Sequence, residues 1–266
     1  MMYEKELAFA KDLAENAGKI MGRYFRAKDI GTVTKADHTP VTIADTQIND
    51  LVIKKVKETF QDHGVLGEEN SFKPERKLIW VVDPIDGTAP YSLGIPVSTF
   101  SLALVDRADG QALVAVTYDP FLEEMYHATQ GGGAFKNGEP IKTSKSHDFQ
   151  HAYISLSSRS LEGEGYNYQP AKVLQEFRSQ GTKVLSFVSF VYTANRVATG
   201  QLLVTIVGET EAWDIAACAM LIQEAGGVVT DFYGKKRRFD ESGDGCIMAA
   251  NKEVLNTFLS RIKQTA

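Results

Sequence analysis

The chain has 266 residues, 43% hydrophobic and 24% charged, the balance of a globular protein with one large core or two closely apposed ones. A net charge of −5 without a basic stripe argues against a nucleic-acid polymer as partner, and the one basic string, Lys235-Lys236-Arg237-Arg238, follows Tyr233-Gly234 as an exposed turn would. No apolar run reaches membrane-spanning length, and Glu4, Lys5 and Glu6 leave no apolar signal core at the start, so a soluble, cytoplasmic protein without a membrane partner is expected.

Residues 3–27 place Leu7, Ala10, Ala14, Ala17, Met21 and Tyr24 at helical spacing. The polar segment 31–40 reads as a mobile loop. A second helix follows, with Thr42 and Asp45 near its start and Ile48, Leu51, Val52, Val56 and Phe60 along one face. Val65-Leu66-Gly67-Glu68-Glu69 reads as a short strand ending in acids.

The most informative stretch is 78–88, a run of β-branched and aromatic residues that ends in Asp83 and Asp86. Pro84 cannot donate to a sheet ladder and is expected to stop this strand, while Gly87 allows a tight turn that sets backbone N–H groups beside the acids. Asp-Pro-x-Asp-Gly also serves as an ordinary turn cap. With Glu68 or Glu69 delivered by a neighbouring strand end, however, the crowded charges call for a cation. Hard oxygen donors suit Mg²⁺ or Mn²⁺ rather than zinc.

Strand patterns follow at 97–105, 112–118 and 124–127, with a hairpin turn at Asn137-Gly138. Gly131-Gly132-Gly133 is no dinucleotide fingerprint, because Lys136 stands where the third glycine of that pattern belongs. The second half alternates strands at 152–156, 183–187, 202–206, 228–230 and 246–250 with helices at 170–180, 190–199 and 252–264. Between them, 211–225 is an Ala-rich helix with Asp214 as its cap or first-turn residue, stopped by Gly226-Gly227. So apolar a helix belongs in the core, so Asp214 should open at an interior cleft. Cys218 and Cys246 lack partners at metal spacing and read as buried free thiols. None of the five histidines sits in a nucleophile setting; each reads as a surface or satisfied residue. The division expected is 1–150, an α+β half carrying most of the acids, and 151–266, an α/β half supplying Asp214, the two sharing a cleft within one compact unit.

With Gly67-Glu68-Glu69, Asp83-Pro84-Ile85-Asp86-Gly87-Thr88, Trp213-Asp214 and Glu224-Ala225-Gly226-Gly227 in this order, the chain resembles the inositol monophosphatase family over nearly its whole length. The resemblance implies a five-layered α-β-α-β-α sandwich of the type shared with fructose-1,6-bisphosphatase. It implies a Mg²⁺-dependent, lithium-sensitive phosphomonoesterase, commonly a homodimer, acting on a small phosphorylated metabolite. Glu68, Asp83 and the Ile85 carbonyl would hold one metal, and Asp83, Asp86 and Asp214 a second. A third, weaker ion would lean on Glu68. Thr88, paired with Asp45, would orient and help deprotonate the attacking water. Amides of Gly87 and Thr88 would hold the phosphate at a helix N-terminus. Lys35 lies in the segment that closes over the site in the family; the role of Glu69 stays open.

The chain departs from the family where the leaving group should sit. Val207 replaces an acid seven positions before the Trp-Asp aspartate, Val188-Ser189-Phe190 replaces a Gly-Thr-Ala triplet, and Ala89-Pro90-Tyr91-Ser92 follows Thr88. The expected substrate is therefore a phosphomonoester other than inositol phosphate, such as histidinol phosphate, a sugar phosphate or 3′-phosphoadenosine 5′-phosphate. The last would need a stacking side chain, for which Tyr91 or Phe190 is the candidate. A fructose-1,6-bisphosphatase is an alternative within the superfamily. A non-catalytic phosphometabolite-binding protein would show a broken ligand set, whereas Glu68, Asp83, Asp86, Thr88 and Asp214 are all present.

Overall fold

The computed structural model describes residues 3–27, 31, 33–34, 40–156, 161–163, 166–208, 210–243 and 245–264. The elements are α1 (Glu4–Tyr24), β1 (Val33–Thr34), β2 (Pro40–Val41), α2 (Ile43–Thr59), β3 (His63–Gly67), β4 (Leu78–Asp86), α3 (Thr88–Ser92), β5 (Thr99–Asp106), β6 (Gln111–Asp119), β7 (Glu124–Thr129), β8 (Gly133–Lys136) and β9 (Glu139–Pro140). They continue as β10 (Tyr153–Ser155), β11 (Leu161–Gly163), β12 (Tyr166–Tyr168), α4 (Pro170–Ser179), β13 (Lys183–Leu185), α5 (Phe190–Ala198), β14 (Val204–Val207), α6 (Ala212–Glu224), β15 (Val228–Thr230), β16 (Cys246–Ala249) and α7 (Lys252–Gln264). Lys35 and most of the expected 31–40 loop lie outside the described residues; its flanks pair as β1 and β2.

Seven strands form one sheet in the order β3-β4-β5-β6-β7-β8-β9, and five form another in the order β13-β10-β14-β16-β15. Only β3 and β4 run parallel in the first sheet; in the second, β10 is parallel to both β13 and β14. Both faces of the first sheet are covered, so its strands read as continuous apolar runs. Trp80 and Val82 of β4 face a core shared with α1 and α2, while Ile79 and Val81 face a second core shared with α5 and α6. A third core, built on Ile154, Phe177, Ile247 and Phe258, lies on the far side of the five-stranded sheet under α4 and α7. The layers are thus α1/α2, seven strands, α5/α6, five strands and α4/α7. The small side chains Ala212, Ala216, Ala217 and Ala219 let α6 approach both sheets closely, and all four are buried.

Pro84 does not end its strand. β4 continues to Asp86, and its pairing with β5 slips between Asp83↔Ser101 and Asp86↔Thr99. The missing N–H of Pro84 therefore falls in a β-bulge, where no ladder bond is owed. The two acids flank the bulge at the end of the strand. Tyr91 is also not the stacking residue expected: it is buried in the α1 core with its hydroxyl donating 2.7 Å to the Met21 carbonyl. Nor are all the histidines at ease, for His63 is buried with Nδ1 lacking a partner among the described residues.

Candidate active site

The candidate acids come from four elements. Gly67 pairs in parallel with Val82, so the residues that follow, Glu68 and Asp83, emerge side by side. Asp86 sits at the end of the bulged β4, Asp45 in the first turn of α2 and Asp214 in the first turn of α6. Three of them are tied locally. The Thr42 amide and hydroxyl donate to Asp45 Oδ2 at 2.7 and 2.6 Å, the Ile85 amide to Asp83 Oδ1 at 3.0 Å, and the Glu211 amide to Asp214 Oδ2 at 2.9 Å. Asp86 is held from across the molecule: Ser189 Oγ and the Val191 amide donate to Oδ2, and the Phe190 amide to Oδ1. Ser189 is the residue that sequence reasoning missed. It was visible only as a departure from the Gly-Thr-Ala triplet, with nothing to signal its partner.

The electrostatics show how closely the acids face one another. Burial, then the charge of Glu68 and those of Asp86 and Asp214, push the Asp83 carboxyl well above the usual range. Burial raises Asp214 to about 8 against the Glu211 amide that lowers it, with Asp86 and Glu68 adding to the rise. Asp214 is largely enclosed by protein yet still reachable by solvent. Asp86 rises to about 6 through burial, restrained by its Ser189, Phe190 and Val191 donors. Asp45 rises to about 7 through burial, restrained by Thr42. The Thr88 hydroxyl lies 2.9 Å from the Ile85 carbonyl and 3.3 Å from Asp45 Oδ1, so the expected pairing of Thr88 with Asp45 is present.

As they stand, no three acidic, histidine or cysteine side chains among the described residues are gathered as metal ligands. Amide donors hold Asp45, Asp83 and Asp214 to their own segments, while Asp86 is held by the start of α5. The donor chemistry nonetheless fits a hard divalent ion: oxygen atoms only, buried, mutually repelling, and with no described cationic side chain paired to Asp45, Asp83, Asp86 or Asp214.

Gly87 sits at φ 83°, a conformation glycine adopts without strain, and starts α3 behind the acids. Phe190 is half-buried at the start of α5, and Val188 before it is exposed with φ 55°, a backbone region that disfavours β-branched residues. Val207, the last residue of β14, is fully buried in the same core as Val191 and Ala212. Cys218 and Cys246 are buried free thiols. No helix among the described residues is long and apolar enough to cross a membrane.

The model of the inositol monophosphatase family matches residues 2–265. The chain is 30% identical to a histidinol-phosphatase of Chlorobaculum parvum, over 92% of each chain. It is also 30% identical to an inositol monophosphatase of Dictyostelium discoideum, over 95% of this chain and 93% of that one. Among solved structures, an inositol monophosphatase from Zymomonas mobilis superposes with a TM-score of 0.84 at 25% identity, covering 99% of both chains.

Proposed function

The chain belongs to the inositol monophosphatase family and is a phosphatase, and we propose that it hydrolyses a small phosphomonoester with water activated by Mg²⁺ held on Glu68, Asp83, Asp86, Asp214 and the Ile85 carbonyl. The observation that carries this reading is the meeting of Asp83, Asp86, Asp214 and Glu68, from three strand and helix ends, closely enough that the charges of Glu68, Asp86 and Asp214 raise Asp83 and those of Asp86 and Glu68 raise Asp214. Such crowding is costly to a fold unless a cation relieves it. When bound, two or three Mg²⁺ ions, or Mn²⁺ in their place, neutralise phosphate charge, make water acidic and stabilise the leaving alkoxide.

The chain's own groups supply position and proton transfer. Asp45 would take a proton from the attacking water through the Thr88 hydroxyl, 3.3 Å from its Oδ1. The Gly87 and Thr88 amides, at the start of α3, are placed to receive phosphate oxygens.

The leaving group is a different matter. Equal identity to a histidinol-phosphatase and to an inositol monophosphatase does not choose between their substrates. The replacement of the expected acid by Val207, buried in the core, and the half-buried Phe190 beside Asp86 favour a leaving group with fewer hydroxyls than inositol. Lithium inhibition, a homodimer and a cytoplasmic setting belong to the same reading.

The test is phosphate release with Mg²⁺ from inositol 1-phosphate, histidinol phosphate, fructose 1,6-bisphosphate, glycerol 2-phosphate and 3′-phosphoadenosine 5′-phosphate, each with and without lithium. One strongly preferred, lithium-inhibited substrate other than inositol 1-phosphate is expected. Inositol 1-phosphate as the best substrate by a wide margin would sink the argument from Val207 and Phe190. No Mg²⁺-dependent turnover of any would overturn the metal mechanism.

A further inference from the structure

One acid of the proposed site, Asp86, is held by a helix whose other end is fastened elsewhere. α5 runs from Phe190 to Ala198, about 13 Å of helix. Its first turn holds Asp86 through Ser189 Oγ and the Phe190 and Val191 amides. Its last turn carries Arg196, whose Nη2 lies 2.8 Å from Glu124 Oε2 at the start of β7. Glu124 also accepts from Tyr126 Oη at 2.6 Å and from the Lys136 ammonium. The Arg196 and Glu124 side chains are only 13% and 15% exposed. Arg196 further lies 4.6 Å from the centre of the Tyr192 ring, and Tyr192 packs edge-on to Phe187, just before the strained Val188.

A buried ion pair of this kind adds little net stability over apolar packing; its use is to fix geometry. The cost here is visible, because Arg196 Nε and the adjacent Asp119 Oδ2 are buried without partners among the described residues. Two more buried polar contacts fasten α5 between the sheets. The Thr117 hydroxyl of β6 donates 3.1 Å to Asn195 Oδ1, and Thr193 and Thr205 of β14 share a 3.0 Å hydroxyl contact. A helix held at one end by ionic bonds and at mid-length by hydroxyls has little freedom to slide along its axis. A shift of one residue would move the Asp86 donors by about 1.5 Å.

We propose that Glu124 and Arg196 are positioning residues for Asp86: through α5 they set the place of its carboxylate, and so the affinity of the site for its divalent ion. This rests on the metal reading given above. The structure carries it on geometry alone, one rigid element joining the ion cluster to the Asp86 donors.

The test is direct binding of Mn²⁺ to metal-free protein, followed by the loss of the free Mn²⁺ signal in electron paramagnetic resonance. Half-saturating Mg²⁺, kcat and KM for the best phosphoester are measured alongside. Arg196→Met and Glu124→Gln are expected to weaken Mn²⁺ binding about tenfold, as loss of a group orienting a metal ligand commonly does. Arg196→Lys should recover most of it, and KM at saturating metal should move less than about twofold. Val114→Ala, which thins the core on the α1 side of the sheet, serves as the control that lowers the melting temperature without touching α5. Tyr126→Phe, which removes a single bond to Glu124, is the milder variant should the others fold poorly, with a loss of about threefold expected.

Mn²⁺ affinities within twofold of wild type in every network variant overturn the proposal, as does an equal loss in Val114→Ala. If wild type itself takes up no Mn²⁺, the metal reading fails and this inference with it. If wild type binds Mn²⁺ and the variants match it, only this inference fails.

Discussion

At Asp86 three protein donors stand in for the water that a carboxylate loses on burial. Asp86→Asn keeps the shape but turns an acceptor-only group into one whose NH₂ faces those donors, and it removes a unit of ligand charge. A folded protein with phosphate release reduced by several orders of magnitude is expected, read by steady-state kinetics beside a circular dichroism spectrum. Thr88→Ala, which breaks the path from Asp45 to the water, should act on kcat with KM nearly unchanged; the reverse split would remove Thr88 from the proton path. Away from the site, His127 stacks on Phe135 with ring centres 5.1 Å apart, and burial, aided by Lys11, pushes its imidazole down to about 4. The unfolded chain takes up this proton near pH 6.5 and the folded one does not. The His127 contribution is therefore complete above about pH 6.5 and lost as pH falls toward 4. Urea midpoints measured from pH 7 to 4.5 should fall more steeply for wild type than for His127→Gln, and parallel slopes would refute the assignment.

Elements show why some of this was legible in sequence and some was not. The acids of β3 and β4 declare themselves because both lie at the ends of apolar runs, and parallel pairing of Gly67 with Val82 then brings them together without any loop to intervene. Asp214 was legible for the same reason, at the head of a helix too apolar to face water. The bond from Ser189 to Asp86 spans 103 residues, so no local pattern could reveal it, and the Arg196–Glu124 pair is likewise far apart in the chain. Pro84 misled because the rule that proline ends a strand has an exception at bulges. The helix α3 is signalled only through the family resemblance, because five residues show no period. Gly18, inside α1, is a case where propensity and packing disagree. An added Cβ would lie 2.4 Å from the Tyr118 ring and 3.2 Å from Pro120 Cβ. Alanine gains roughly 1 kcal/mol of helix propensity over glycine, but displacing a packed ring costs about 1–3 kcal/mol. Gly18→Ala should therefore be destabilising by chemical denaturation; a stabilised variant would mean that Tyr118 swings aside freely.

For the whole molecule, the raised acids couple stability to pH and metal. In metal-free protein Asp86, Asp45 and Asp214 keep their protons to about 6, 7 and 8, whereas the unfolded chain releases them near 4. The stability they contribute is complete below about pH 4 and is lost as pH rises through these values. Mg²⁺ should consequently raise the melting temperature more at pH 8 than at pH 5, compared with protein in chelator; an equal shift at both would count against these acids as the ligands. The placement of α6 has a consequence of another kind. It covers the face of the seven-stranded sheet that Ile79, Val81, Ala103, Val105 and Ala115 present, yet it is made some hundred residues after that face. A nascent chain that has completed β4 to β9 still lacks residues 212–224 and carries a bare apolar surface as translation proceeds. At the usual pace of synthesis that wait lasts several seconds. Co-translational chaperone capture should thus centre on this interval, and the final lid on the sheet is the same helix that delivers Asp214.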